Sequence, residues 1–241
     1  MNIIQSTSLR KFINLTSGFT TREIGNLAFH VNDTISNVTK NHEKLAHELD
    51  YKKDSLLHMK QIHSADVRIV NADDNFTNPQ SCDALVTNKR NTPLMVMVAD
   101  CSPILFYDDT TQVIAVAHAG RQGAFKNIVQ NTIDAMCLNF YASQKNIHVS
   151  IGASIGVCCY EVGEEIYKEA KQLNLEDSLQ IRGNHYYLNV SYILKKQLLD
   201  AGIQEEHIEV SNECTCCLKE KYYSYRAKAN TGRFAGVIML K

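Results

Sequence analysis

The stretch LMVMVADCSPILFYDDTTQVIAVAHAGRQG, residues 94–123, limits the possible folds more than any other part of the chain. Its opening run, PLMVMVA, is apolar without a break and predicts a strand buried on both faces. Two β-rich runs, ILFY and QVIAVAH, flank the polar DDTT and predict a hairpin. A hairpin beside a doubly buried strand excludes a purely parallel sheet.

The rest of the sequence alternates helical and strand patterns. NVTKNHEKLAHELD carries Val38, Leu45 and Leu49 at near-helical spacing, and GAFKNIVQNTIDAMCLNFY places Phe125, Ile128, Ile133, Met136 and Phe140 along one helical side. EVGEEIYKEAKQL and NVSYILKKQLLDAG read as helices, the second stopping at Gly202. VRIV, DALVT, IHVSIGASIG and FAGVIML read as strands. The expectation is a mixed α/β fold of the α+β type, in one domain spanning residues 1–241. Only 3 prolines and 11 glycines are spread along the chain, so no linker stands out.

Net charge is −1, which excludes a generally basic surface for nucleic acid or anionic membrane. The N-terminus lacks an apolar segment followed by a small-residue cleavage site, and no run approaches the roughly 20 apolar residues of a membrane span. The expected location is the cytoplasm. There the 8 cysteines are expected as reduced thiols.

Turn arithmetic bears on the site. A turn centred between Asp109 and Thr110 makes opposing positions sum to 219 and sets Cys101 against His118. Directly opposed side chains have Cβ atoms about 5 Å apart. The pair is then a nucleophile with its base, two ligands of one metal, or core packing, since free Cys is often buried and inert. Pro103 threatens the register by ending the ladder early. Other polar residues keep company with the pair: His63 beside Gln61, Asp83 in SCDALVT, Asp100 before Cys101, and Arg226 and Arg233 around a turn-prone segment.

Cys214, Cys216 and Cys217 in CTCC, together with Cys158 and Cys159, suggest a second metal site at first sight. Read as C-x-C-C, the spacing differs from the C-x₂-C of structural zinc knuckles. Packing or redox-sensitive thiols are the expectation there. The remaining histidines lack ligand spacing to one another, and His30 is placed near the pocket only by its motif.

In order along the chain, GFTTREIGNLAFHVND, KQIHSADV, CDALVT, ADCSPILFYD, AVAHAGRQG, IGASIGVCCYEVGEE, ECTCC and YSYRAKANTGR resemble the laccase-domain family nearly end to end. Members of that family go by the names polyphenol oxidase, peptidoglycan editing factor and zinc-dependent purine nucleoside phosphorylase. The resemblance implies a layered α/β/β/α fold like that of cysteine hydrolases. It also implies one zinc held by His63, Cys101 and His118, with the open fourth position of a catalytic site. Departures are GRQG where the family has GWRG, so that either Arg121 replaces the usual arginine from a shifted position or its contact is absent, Ala153 where it has proline, and a shortened TREIGN loop.

The implied reaction is phosphorolysis of purine nucleosides, with phosphate as co-substrate. Planar Arg forks hold phosphate well; Arg22, Arg226 and Arg233 are the candidates, with Gln61 as a further substrate contact. Adenosine deamination is a second implied activity, using the open zinc position to activate water. Asp83 and Asp100 are then proton shuttles or partners that orient a His ligand. The alternative is a Cys101–His118 hydrolase cleaving an amide of a peptidoglycan precursor. Copper oxidase chemistry fits poorly, because its centres are rich in imidazole, whereas the chain has 9 histidines and no H-x-H pair. Nothing marks a non-enzymatic binding module.

Overall fold

The computed structural model describes residues 2–241. In chain order the elements are β1 (Ile3–Ile4), β2 (Leu15–Thr20), α1 (Ile35–Glu48), β3 (Met59–Lys60), β4 (Val67–Ile69), β5 (Gln80–Ser81), β6 (Ala84–Thr87), β7 (Leu94–Val98), β8 (Ser102–Asp108) and β9 (Val113–Ala119). There follow α2 (Arg121–Phe125), α3 (Ile128–Phe140), β10 (Ile147–Ile151), β11 (Glu161–Val162), α4 (Glu164–Gln172), β12 (Leu179–Arg182), β13 (His185–Leu188), α5 (Val190–Asp200), β14 (Ile208–Val210) and β15 (Phe234–Leu240).

Two sheets carry the fold. A six-stranded mixed sheet runs β14-β10-β8-β9-β6-β4, and a four-stranded sheet runs β1-β2-β15-β7. Alternation along β8 explains how they stack. Ile104 and Phe106 point into a core shared with Ile128, Ile133 and Met136 of α3 and Ile193, Leu194 and Leu198 of α5. Leu105 and Tyr107 point the other way, onto Phe19, Val96, Val98, Phe234 and Ile238 of the four-stranded sheet. The far face of that sheet, Met95, Met97, Ala235 and Val237, packs on Leu45 of α1 and on Leu49, the residue that caps its C-terminus. The result is the expected α/β/β/α order of layers. The apolar run in β7 is buried at all five positions because both of its faces are covered.

The hairpin forms, with its register moved. Paired positions sum to 221: Ser102 opposes Ala119, Pro103 opposes His118 and Asp108 opposes Val113. Side-chain hydrogen bonding moves the turn one residue along. Asp108 Oδ1 accepts from the amides of Thr110 at 2.9 Å and Thr111 at 2.8 Å, and Gln112 takes a φ of 56°. A two-residue change of partner keeps every side chain on its original face. Pro103 is accommodated within β8 rather than ending it.

Two further expectations need correction. The single helix read across residues 123–141 is two helices, α2 and α3. They break at Asn127, which adopts φ 58° and caps α3 by accepting from the Gln130 amide at 3.3 Å. β2, β12, β13 and β14 carry weak alternation and escape the sequence reading. The α5 stop at Gly202 stands, with φ 88° there.

Candidate active site

His118 lies near the end of β9, 3% exposed, and β6 fixes its surroundings. The His118 amide donates to the Asp83 carbonyl at 2.7 Å, and His118 Nδ1 lies 2.8 Å from Asp83 Oδ1. The fully buried Asp83 carboxylate also accepts from the amides of Ile62, His63 and Ser64 at 3.2, 3.1 and 2.6 Å, and from Ser64 Oγ at 2.8 Å. One buried carboxylate therefore orients the ring of His118 and folds the loop that carries His63. Burial alone raises the pKa of Asp83, but the hydrogen bonds from His118 and Ser64 outweigh it and hold it low.

Two residues of this region have left-handed backbone: His63 at φ 58° and Asp100 at φ 85°. Such conformations cost free energy in residues with a Cβ and persist where the surroundings impose them. Asp100 is imposed by its own carboxylate, which accepts from Thr215 Oγ1 at 2.6 Å and from the Arg226 amide at 2.7 Å. The bend turns Cys101 towards the histidines just before β8 begins.

The donor atoms of His63, Cys101 and His118 lie within 4.8 Å of one another. Cys101 is thus not the direct cross-strand partner of His118, yet the two meet because the bend brings the thiol back. Gly120 is required beside them: a Cβ there would lie 2.8 Å from Cys101 Sγ and 3.5 Å from His63 Cδ2. Two imidazoles and a thiol are a borderline-soft donor set suited to zinc. With His118 Nδ1 committed to Asp83, Nε2 is the nitrogen left for a ligand. Burial raises the Cys101 thiol, but the charge of His118 and hydrogen bonds from both histidines bring it well below the ordinary thiol range. Burial depresses His118, and the thiolate and Asp83 reverse that and raise it.

A cavity of about 630 Å³ opens over this cluster. Met59, Met97, Val98, Ile155, Val190, Tyr160 and Tyr225 give it apolar and aromatic walls, while Lys60, Arg121, Arg226 and Arg233 are basic and Asp100 acidic. The Arg233 guanidinium is anchored on the carbonyls of Thr231 and Gly232, both at 3.0 Å. Arg226 donates to the carbonyls of Cys159 at 3.2 Å and Glu161 at 2.9 Å.

The expected site residues divide accordingly. His63, Asp83, Asp100, Cys101, His118, Arg226 and Arg233 come together. Gln61 lines the cavity, but its amide is committed to the Met97 backbone, donating at 2.7 Å and accepting at 2.9 Å. It fixes the His63 loop to β7, which differs from the expected substrate contact. Arg22 does not line this cavity. It stacks over the Tyr223 ring at 4.7 Å, donates to the Lys219 carbonyl at 2.8 Å, and borders a separate cavity. Arg121 lines the main cavity and pairs with Glu169 at 2.9 Å. Tyr160, Gly120 and Lys60 were not singled out in the sequence; the glycine next to AHA was the available signal for Gly120.

Residues 16–241 match the family described as multi-copper polyphenol oxidoreductase laccase. A purine nucleoside phosphorylase of Corynebacterium glutamicum is 34% identical over 217 residues, covering 89% of this chain and 86% of that protein. The purine nucleoside phosphorylase YlmD of Geobacillus stearothermophilus is 29% identical, covering 94% and 90%. Among solved structures, the Bacillus licheniformis hypothetical protein YfiH superposes with a TM-score of 0.89 at 28% identity, covering 94% of this chain and 93% of its own. With a family match over residues 16–241 and a relative 34% identical over 89% of the chain, the chain belongs to the laccase-like polyphenol oxidoreductase family.

Proposed function

We propose that this protein is a zinc-dependent purine nucleoside phosphorylase. It would convert adenosine, inosine or guanosine, with methylthioadenosine as a further candidate, and phosphate into free base and ribose 1-phosphate. The observation that carries the reading is the His63–Cys101–His118 cluster beneath a cavity that combines apolar walls with four basic side chains. Two relatives named purine nucleoside phosphorylase support it.

His63, Cys101 and His118 would hold the zinc, which supplies a Lewis acid when bound. Arg233, with Arg226 and Arg121, would bind phosphate and orient it towards the ribose C1′. The phosphate forms the new bond there as the bond to the base nitrogen breaks, and the purine leaves with the bonding pair. Met97, Val98, Ile155 and the Tyr225 ring would take the flat faces of the purine. Asp83 would act through His118, and Asp100 through the segments carrying Cys101 and Arg226. Adenosine deamination is a second activity proposed for the same cavity.

The test is to incubate zinc-loaded protein with each nucleoside, with and without phosphate, and to separate the products by chromatography. Phosphate-dependent release of free base is expected. Base released equally without phosphate would make the enzyme a hydrolase of nucleosides, and adenosine turning into inosine without phosphate would reveal deamination.

A second reading has one specific observation behind it. The lowered Cys101 thiol, the raised His118 and the Asp83 hydrogen bond form a Cys–His–Asp relay suited to cleaving an amide. Metal ligation of Cys101 would blunt it as a nucleophile, so the two readings compete. Muropeptide cleavage that resists chelators and is lost in Cys101→Ser would favour the hydrolase. A copper polyphenol oxidase is disfavoured by the small number of imidazoles in the cluster. Stoichiometric copper with phenol oxidation in zinc-free protein would reverse that.

A further inference from the structure

Outside the cavity, the fold gathers four of the remaining cysteines. Cys158 Sγ and Cys217 Sγ lie 3.6 Å apart, Cys159 Sγ and Cys217 Sγ 3.4 Å apart. All four sulfurs of Cys158, Cys159, Cys214 and Cys217 fall within 4.8 Å of one another. A tetrahedral zinc with Zn–S bonds of about 2.3 Å needs sulfurs about 3.8 Å apart, and the two closest pairs fall a few tenths of an ångström short of that edge, with the rest inside 4.8 Å. We propose that Cys158, Cys159, Cys214 and Cys217 form a second, structural metal site that takes one zinc ion as a tetrathiolate.

Backbone geometry supports a ligand role over packing. Within CTCC, Cys214 and Cys217 are themselves spaced C-x₂-C, with Cys216 as a spacer outside the cluster. The amide of Gly156 donates to Cys214 Sγ at 3.2 Å, and the amides of Cys216 and Cys217 hydrogen-bond to the same sulfur. Several amides aimed at the first sulfur of a C-x₂-C turn stabilise a thiolate there, as a metal knuckle requires. On the other segment, a turn closed by the Cys159 and Tyr160 amides on the Gly156 carbonyl, at 2.9 and 3.0 Å, presents Cys158 and Cys159 side by side.

The charge is also provided for. Four thiols binding one Zn²⁺ release four protons and leave a centre of net charge −2. Two guanidiniums already stand at its backbone: Arg226 donates to the Cys159 carbonyl at 3.2 Å and Arg182 to the Cys158 carbonyl at 3.5 Å. A cubane cluster would need wider spacing of the sulfurs, so a mononuclear ion fits best. Cys158 and Cys217 are exposed, which gives the ion a route in.

The ion would join two segments that form one wall of the catalytic cavity. Ser154 bridges Cys214, and Thr215 reaches Asp100 Oδ1 at 2.6 Å. On the other side, Tyr160 and Arg226 line the cavity directly. The site is therefore placed to hold Arg226 and Asp100 without touching substrate.

The test counts zinc per full-length chain purified under reducing conditions, in wild type, Cys101→Ser, and Cys159→Ser/Cys217→Ser. Wild type is expected to hold two ions if both sites are filled. Cys101→Ser should keep one, and Cys159→Ser/Cys217→Ser should lose one relative to wild type. Failure at the catalytic cluster shows as an unchanged count in Cys101→Ser, and failure of this proposal as an unchanged count in the double variant. Cobalt bound to Cys101→Ser should show charge-transfer absorption of four thiolates; absorption of three or fewer would overturn the assignment. If the double variant does not fold, alkylation of wild type decides. Cys158 and Cys217, though exposed, should resist iodoacetamide until a zinc chelator is added. Labelling at the same rate with and without chelator, or disulfide formation among the four in metal-replete protein, would contradict the site.

Discussion

Asp83, the residue before β6, and His118 of β9 face each other through two contacts, carboxylate to ring at 2.8 Å and carbonyl to amide at 2.7 Å. The same carboxylate receives three amides from the 62–64 segment. Asp83 thus couples the position of His63 to that of His118, although it is itself no ligand. The cluster is preorganised by this buried charge.

Asp83→Asn should therefore damage both metal binding and stability. An amide cannot accept from all of these donors, and partners that orient a ligating His typically account for 10–100-fold in metal affinity. We expect a loss of about that size in competition with a chromophoric chelator. Unfolding free energy should fall by about 2 kcal/mol. Unchanged zinc affinity would remove Asp83 from the site.

Gly120→Ala separates space from chemistry. The added Cβ would stand 2.8 Å from Cys101 Sγ, and the thiol must move away from both histidines. Zinc affinity and activity should fall at least tenfold while the melting temperature changes by only a few degrees. Wild-type affinity in this variant would show that the thiol is not held where the cluster requires it.

Arg233 and Arg22 should behave in opposite ways. Arg233→Ala should raise the KM for phosphate about tenfold, equivalent to about 1.4 kcal/mol, with a smaller effect on nucleoside. Arg22→Ala should leave both constants near wild type, because its guanidinium is occupied by Lys219 and Tyr223 in a separate cavity. Steady-state kinetics varying each substrate in turn checks both.

The layers of the fold were legible where patterns were strong. The unbroken run of β7 and the flanks of DDTT carry their own signal, since burial on both faces leaves no room for polar residues. The register was not, because the Asp108 side chain chose the turn centre. At the site, turn arithmetic brought Cys101 and His118 to the same edge, and the family resemblance supplied His63. The Asp83–His118 pairing rests on the alignment of β6 with β9, which no local pattern encodes. Arg22 and Gln61 show the opposite limit: a motif match names a residue but not where its polar atoms are committed. Likewise, Cys214 and Cys217 read as C-x-C-C until folding left Cys216 out.

Acid should weaken the tie between the N-terminal segment and β14. Burial raises the pKa of Glu209, but hydrogen bonds from the Ser6 and Thr7 hydroxyls and the Thr7 and Ser8 amides bring it down to about 2 from an ordinary 4.5. Its stabilisation is then fully present above pH 4.5 and is lost as pH falls towards 2. In denaturant titrations, Glu209→Gln should be less stable than wild type at pH 7, and the gap should shrink by pH 3. A gap that does not depend on pH would contradict this.

The central claim is that the cavity over His63, Cys101 and His118 transfers ribose from a purine to phosphate. Phosphorus NMR of zinc-loaded protein with inosine and phosphate tests it most directly. The account predicts a sugar-phosphate resonance growing in step with free hypoxanthine, and abolished by chelation or by Cys101→Ser. Hypoxanthine released with no new phosphate ester, or an unchanged rate in Cys101→Ser, would contradict it.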